Sequence, residues 1–273
     1  MCESFTSTTI GKTGLKAFRL GLSAVYRPGK EAIRQAIDGG INFILFYNFD
    51  NQMIRGLKDI IKYDRDNYVL ATGAFDFKLW EPNLIRVVER RLRQLGTDYL
   101  DILYFFGISN EPDLNDSILR QFEQLKQSGK IRCSGISTHN RKLAGELVDR
   151  GVLDIFMVRY NAAHRGAETE IFPFTEKYDP GIVSYTATRW RQLAKKPKKW
   201  PEDEPLPSAG MAYRFVLSNP HVHICLTAPS NARQLEENLN AVKAGALDDS
   251  EMALMREFGD FVYNSNRKRG KFD

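Results

Sequence analysis

Cysteine is scarce: Cys2, Cys133 and Cys225 are the three in 273 residues. None stands in a CxxC spacing, which argues against a zinc ribbon or an iron–sulfur cluster. A reducing cytoplasm is the simplest setting for such a chain. Histidine is almost as rare, with four residues, and no His/Asp/Glu spacing suggests a metal site. There is no apolar run of ~18 residues, so no membrane span is expected. The opening MCESFTSTTIGKTG has no basic segment leading into an apolar core, so it does not read as a secretory signal. No strand-like stretch leads into GxGxxG, which weakens an open doubly wound sheet. No serine sits in a nucleophile elbow, which leaves hydrolase chemistry unsupported. The net charge of +5 is modest. Its two basic runs, KKPKK at 195–199 and RKRGK at 267–271, lack interleaved aromatics, so no nucleic-acid partner is expected.

What is present is a strand-then-helix rhythm. Continuously apolar runs at 18–24, 41–47, 68–72, 99–105, 131–137, 154–160, 181–186 and 222–227 each precede a helical stretch. Helices are expected at 28–38, 52–63, 82–95, 115–128, 140–150, 168–178, 208–218 and 232–243, with an extra helix at 249–263. Strands without polar alternation are parallel strands covered on both sides. Eight such units in a chain of this length predict an α/β fold, a (β/α)8 TIM barrel. Residues 8–16 add an N-terminal β-hairpin plugging the barrel bottom, and 249–263 a C-terminal extra helix. The whole, 1–273, reads as a single domain with 265–273 as a flexible basic tail.

In such barrels, functional side chains come from strand C-termini and the loops after them. The densest polar run there is DIFMVRYNAAHRGAE at 154–168, where an apolar strand breaks into Arg159, Tyr160, Asn161, His164 and Arg165. Arg141, Arg159, Arg165, Arg189 and Arg191 all fall on this face. Together they suggest an anionic ligand, or else structural pairs with Glu168, Glu170 and Glu202.

Several stretches resemble the aldo-keto reductase superfamily, and the resemblance covers nearly the whole chain. They are IGKTGLKAFRLGLS, GINFILFYNFD, QLGTDYLDILYF, SGKIRCSGIST and LSNPHVHICLTAPSNARQLEENLNAV. The resemblance implies NADPH or NADH as cofactor and a small carbonyl compound as substrate. It also implies a catalytic Asp, Tyr, Lys and His, but this chain has Leu45, Asp50, Gly73 and Phe106 at those positions. At the usual asparagine and glutamine of the nicotinamide clamp stand Thr138 and Met157, while its serine is kept as Ser137. By the same resemblance Tyr185 stacks on the nicotinamide and Thr186 and Thr188 serve the pyrophosphate. Glu237 and Asn238 contact the adenine. Arg233 and Gln234 fall near the family's arginine for adenine or 2′-phosphate, and Ser230 lies in a loop that often carries a basic residue.

Replacement chemistry has a few candidates. Tyr47 shares strand parity with Leu45 and so points into the barrel top; it is a proton donor or a rim aromatic. His139 orients a carbonyl or contacts a helix start. Arg159 and His164 would hold an anionic carbonyl, with Asn161, Arg165 and Trp190 around the substrate. Asp50 accepts a proton or caps a helix. His221 and His223 read as structural. Two functions remain open: a reductase with a rebuilt site, or a silent barrel that binds a nucleotide or anionic metabolite as a sensor or partner module. Nothing in the sequence specifies an oligomer.

Overall fold

A computed structural model of the chain describes residues 5–23, 25–75 and 83–267, with side chains through 265. Eight parallel strands close into a barrel, in the order β10-β3-β4-β5-β6-β7-β8-β9. They are β3 (Leu20–Ser23), β4 (Phe43–Leu45), β5 (Val69–Phe75), β6 (Leu100–Ile108), β7 (Ile131–Thr138), β8 (Ile155–Arg159), β9 (Gly181–Tyr185) and β10 (Ile224–Thr227). Strands β1 (Ser7–Thr9) and β2 (Lys16–Phe18) form the expected antiparallel hairpin. Its tip sits under the barrel: Lys12 N–H donates to the Asp179 carbonyl at 2.7 Å. Gly11 is needed there, because a Cβ would lie 2.3 Å from that same oxygen.

The helices around the barrel are α1 (Lys30–Asp38), α2 (Asn51–Ile61), α3 (Leu84–Leu95), α4 (Asp116–Gln127), α5 (Arg141–Arg150), α6 (Ala167–Glu170), α7 (Ala209–Leu217) and α8 (Ala232–Lys243). Helix α9 (Asp249–Arg267) is the extra one. Helix α3 shows why they form: Leu84, Val88, Leu92 and Leu95 recur every three or four residues and are buried. Asn83 caps its start by accepting from Arg86 N–H, and Gly96, at φ 72°, ends it. Pro82, expected to open this helix, lies outside the described residues, as does most of the 265–273 tail.

Two expectations are corrected. The first strand is shorter than 18–24, because the chain turns at Arg19. The Arg19 guanidinium donates to the carbonyls of Leu217, Val222 and His223, pinning the turn to the barrel floor. The helix expected at 168–178 is only α6 followed by a 3-10 turn at Phe172–Phe174. Pro173 has no N–H to continue the ladder, and Ile171 and Phe172 are buried in the helix layer instead.

The core has two parts. One lies between strands and helices. The other fills the barrel with alternate strand residues, including Phe43, Leu45, Tyr104, Phe106, Met157 and Val183. Among the described residues, no helix is long and apolar enough to cross a membrane.

The polar run after β8 is a clamp for α9. Arg165 donates to the Ala162 carbonyl at 2.7 Å and the Arg256 carbonyl at 3.2 Å, and pairs with Asp260 at 2.7 Å. His164 is buried, its ring edge-on to Tyr263. Glu168 accepts from both Tyr160 and Arg256. Gly259 of α9 lies so close that a Cβ would be 2.2 Å from the Ala162 carbonyl oxygen. Gly259→Ala must therefore push two backbones apart. The expected loss is about 1–3 kcal/mol in urea unfolding, with the amides of α9 exchanging hydrogen first.

Candidate active site at the barrel mouth

Period-two alternation decides which side chains reach the open end. Inward-facing positions continue upward from the barrel core to Ser23, Tyr47, Phe75, Phe106, Ser137, Arg159 and Tyr185. From these residues a single groove of about 1130 Å³ runs outward to the start of α8. Its lining includes Tyr47, Phe106, Ser137, His139, Tyr185 and Trp190 at the mouth. At the far end are Thr227, Ser230, Gln234, Glu237 and Asn238.

The floor of the mouth is aromatic. The Tyr47 and Phe49 rings stack 5.3 Å apart at 4°. Phe75 and Phe106 lie 5.0 Å apart, and Phe106 also contacts Tyr47 and Tyr104. Phe106 occupies the space beside Gly73: a Cβ at 73 would sit 1.7 Å from its ring. The two positions that would carry lysine and histidine are thus filled as one unit, by a missing side chain and a ring that takes its volume. Asp50, at the would-be tyrosine position, caps α2 by accepting from Met53 N–H. Burial raises its pKa despite that bond and the nearby Arg27.

Tyr47 is half-buried and lines the groove, and its hydroxyl has no hydrogen-bond partner among the described residues. Burial, with a smaller push from Asp50, raises its phenol to about 12. Tyr185 is raised by burial to about 12, against the opposing pull of Arg159. Its hydroxyl is 2.9 Å from His139 Nδ1, and the two rings meet edge-on. Partial desolvation, then Arg159, lowers the His139 pKa. The neutral ring and the phenol therefore share one hydrogen bond. Arg159 is half-buried and forms no ion pair with any described residue. Among the described residues it is an unpaired cation, beside Tyr185 and His139.

The loop after Tyr185 is strained. Arg189, Trp190 and Arg191 have φ of 47°, 49° and 70°, three successive left-handed residues without a glycine. The turn presents Trp190 to the groove, 57% exposed. Thr186 and Thr188 line the groove, but Thr186 donates to the Tyr185 carbonyl and Thr188 accepts from Arg191 N–H.

The α8 end is partly engaged. Asn231 accepts from Gln234 N–H, while the Gln234 side chain accepts from Ser230 N–H. Asn238 is buried and donates to Thr227, which donates to Tyr213, so its amide shapes the wall. Arg233 is exposed and pairs with Glu237 along the helix.

The structure thus brings Tyr47, His139, Arg159, Ser137, Tyr185 and Trp190 together. It does not bring His164, Asn161 or Arg165 to them. His164 and Arg165 serve the α9 clamp. Asn161 is fully buried, donating to the Thr186 carbonyl and accepting from Ala163 and His164 N–H. The arginines do not converge either: Arg141 pairs with Glu170 and Arg165 with Asp260, Arg191 borders the groove, and Arg159 lies on β8 beside Tyr185. His221 and His223 are structural, hydrogen-bonded to Thr175 and Ile182 N–H. Among the described residues no cluster of His, Cys, Asp or Glu can hold a metal ion. The sequence reading missed the roles of Phe75 and Phe106. The parity that flagged Tyr47 also marks Phe75, two residues after Gly73, and Phe106, two after Tyr104.

Two measurements check this geometry. Gly73→Ala collides with Phe106 and is expected to cost about 1–3 kcal/mol. In a double-mutant cycle Phe106→Ala should cancel most of that cost, because the pair shares one volume. The second concerns pH. His139 has a folded pKa below its ordinary 6.5, so the unfolded chain takes up the proton first. Its contribution is complete above pH 6.5 and falls away below it as pH drops toward the folded value. His139→Ala should flatten the midpoint-versus-pH curve in that window.

Comparison with known proteins fits this architecture. The profile of the Aldo/keto reductase family matches residues 26–196 and 188–260. An uncharacterized oxidoreductase of Bacillus subtilis, YqkF, is 25% identical over 94% of this chain and 96% of its own. The NADH-specific methylglyoxal reductase of Escherichia coli is 24% identical over 93% and 96%. The solved holo form of aldo-keto reductase AKR11C1 from Bacillus halodurans superposes with a TM-score of 0.78 at 22% identity, covering 93% of this chain and 96% of that one. The chain belongs to the aldo/keto reductase family.

Proposed function

We propose that this protein is an NADPH- or NADH-dependent oxidoreductase that reduces a carbonyl compound with a rebuilt catalytic end. The continuity of the groove carries this reading. One channel joins the α8 start, the Tyr185 ring and the aromatic mouth, so a dinucleotide and a second compound have room end to end. Relatives point the same way: one is named an NADH-specific reductase, and an aldo/keto reductase from Klebsiella pneumoniae was solved with NADP and acetate.

The residues fit a dinucleotide at three places. Tyr185 offers a half-buried ring face, with Ser137 beside it on the mouth. Thr186, Thr188 and Trp190 border the middle of the channel. Ser230, Gln234 and Glu237 border the far end, at a helix start suited to phosphate. When bound, the cofactor supplies hydride.

The chain's own part is charge stabilisation. Tyr47 keeps its proton through neutral pH and can donate a hydrogen bond to a carbonyl oxygen. Its raised pKa makes it a poor source of a full proton. His139 is neutral and engaged with Tyr185. Arg159 remains as the fixed cation facing a developing oxyanion, and such preorganised charge is often the largest catalytic contribution. The second reading, a silent nucleotide-binding barrel, is favoured by the Phe106 ring filling the lysine position.

Titration with NADPH and NADH, followed by tryptophan quenching, tests the first step, since Trp190 lines the channel. Saturable micromolar binding is expected, weakened roughly 2–10-fold by Tyr185→Ala through lost stacking. Arg159→Met should lower kcat for a reducible carbonyl by about 10²-fold. Absence of nucleotide binding would refute the reading. Binding without turnover of any carbonyl compound would establish the silent barrel instead.

A further inference from the structure

We infer that this chain pairs with a second copy of itself through the loop between β9 and α7, each copy setting a basic block against the other's acidic block. Self-pairing of this kind stands apart from the oxidoreductase reading above.

The loop carries its charges in two blocks. Lys195, Lys196, Lys198 and Lys199 precede Trp200, and Glu202, Asp203 and Glu204 follow Pro201. All seven side chains are exposed, and none forms an ion pair with a described residue. Glu202, expected as a partner for an arginine of this face, is among them. The blocks stand on a fixed base. Trp200 is buried, edge-on to Phe258 and Phe261 of α9 with ring centroids 4.8 and 5.2 Å away. Its N–H donates to the Pro197 carbonyl at 3.1 Å. Leu193 and Pro207 are buried on either side, and Pro197, Pro201 and Pro205 restrict φ between them. Little backbone freedom remains to be lost on association.

The order of the signs selects the partner. Lys199 and Glu202 are separated by at most ~11 Å of chain, close to the Debye length of ~8 Å at physiological salt. A nucleic acid or an anionic lipid surface that meets the lysines therefore meets the carboxylates as well. With both signs nearly balanced, neither a polyanion nor a polycation fits this loop. Its complement is a surface carrying the same two blocks in reverse order. A two-fold rotation about an axis near Trp200 and Pro201 supplies that surface, because it brings each block to the opposite one and makes every contact twice. Trp190, 57% exposed, and Leu206, 45% exposed, lie on the same loop and offer the apolar part of the contact. Exposed ion pairs are individually weak, and one loop from each copy makes a small interface. Both point to a reversible dimer, sensitive to salt, in place of an obligate one.

Sedimentation equilibrium of the full chain near neutral pH tests this. At an ionic strength of about 0.01 M a dimer is expected, with a dissociation constant of roughly 10–100 µM. At about 1 M, where screening acts within ~3 Å, self-association should weaken at least ~10-fold. Two variants each reverse part of one block: Lys198→Glu with Lys199→Glu, and Glu202→Lys with Asp203→Lys. Each alone sets like charges against like and should weaken its own pairing at least ~10-fold. Mixed in equal amounts, the two should form a heterodimer at least as tight as the unmodified pair. Both variants stay net positive, since the chain starts from +5, so overall charge does not draw them together. All four positions are exposed, and an unchanged thermal midpoint reports an intact fold. A chain that stays monomeric at roughly 1 mM, a mixture that stays monomeric, or a dimer indifferent to either reversal overturns the inference. So does a chain that binds phosphatidylserine vesicles or heparin through these lysines and does not self-associate.

Discussion

Barrel closure fixes the space inside, and the rest of the molecule answers to that constraint. Eight tilted strands leave an interior just wide enough for side chains to fill. Each strand must send every second residue into it. Volume removed at one inward position is therefore supplied from another. Gly73 and Phe106 show this directly, since the ring of one lies where the side chain of the other would begin. Polarity follows volume. Once rings take the top layer, the mouth becomes apolar, and the few polar groups left there are shifted by burial: Tyr47 and Tyr185 upward, His139 downward.

The same constraint explains what was legible in the sequence. The eight strands announced themselves because both their faces are buried, which leaves long apolar runs. Tyr47 was placed correctly by parity alone, since side-chain direction in a strand is a local property. Helices α3, α5 and α8 were readable from their spacing, and the structure adds Asn83, Asn140 and Asn231 as caps at their starts. The helix after β8 was over-read because Pro173 interrupts a stretch that otherwise looks periodic.

Loops were less legible for a physical reason. Arg165 finds its partners 91 and 95 residues further along the chain, and no local pattern announces that. A polar cluster at a strand end satisfies the sequence rule for a ligand site and the rule for a helix clamp equally well. Only the contacts separate them, and here they assign 161–168 to α9. Arg159, two residues upstream of that segment, has no such partner among the described residues.

That clamp also orders events in time. During synthesis the segment at 161–165 emerges well before the helix that satisfies it. Until α9 arrives, the Arg165 guanidinium lacks the Arg256 carbonyl and the Asp260 carboxylate. Strand β10, which zips the barrel shut between β9 and β3, is likewise late. Domains fold as units once their chain is available. Both the strand that closes the barrel and the helix that satisfies Arg165 are thus supplied by residues 224–267.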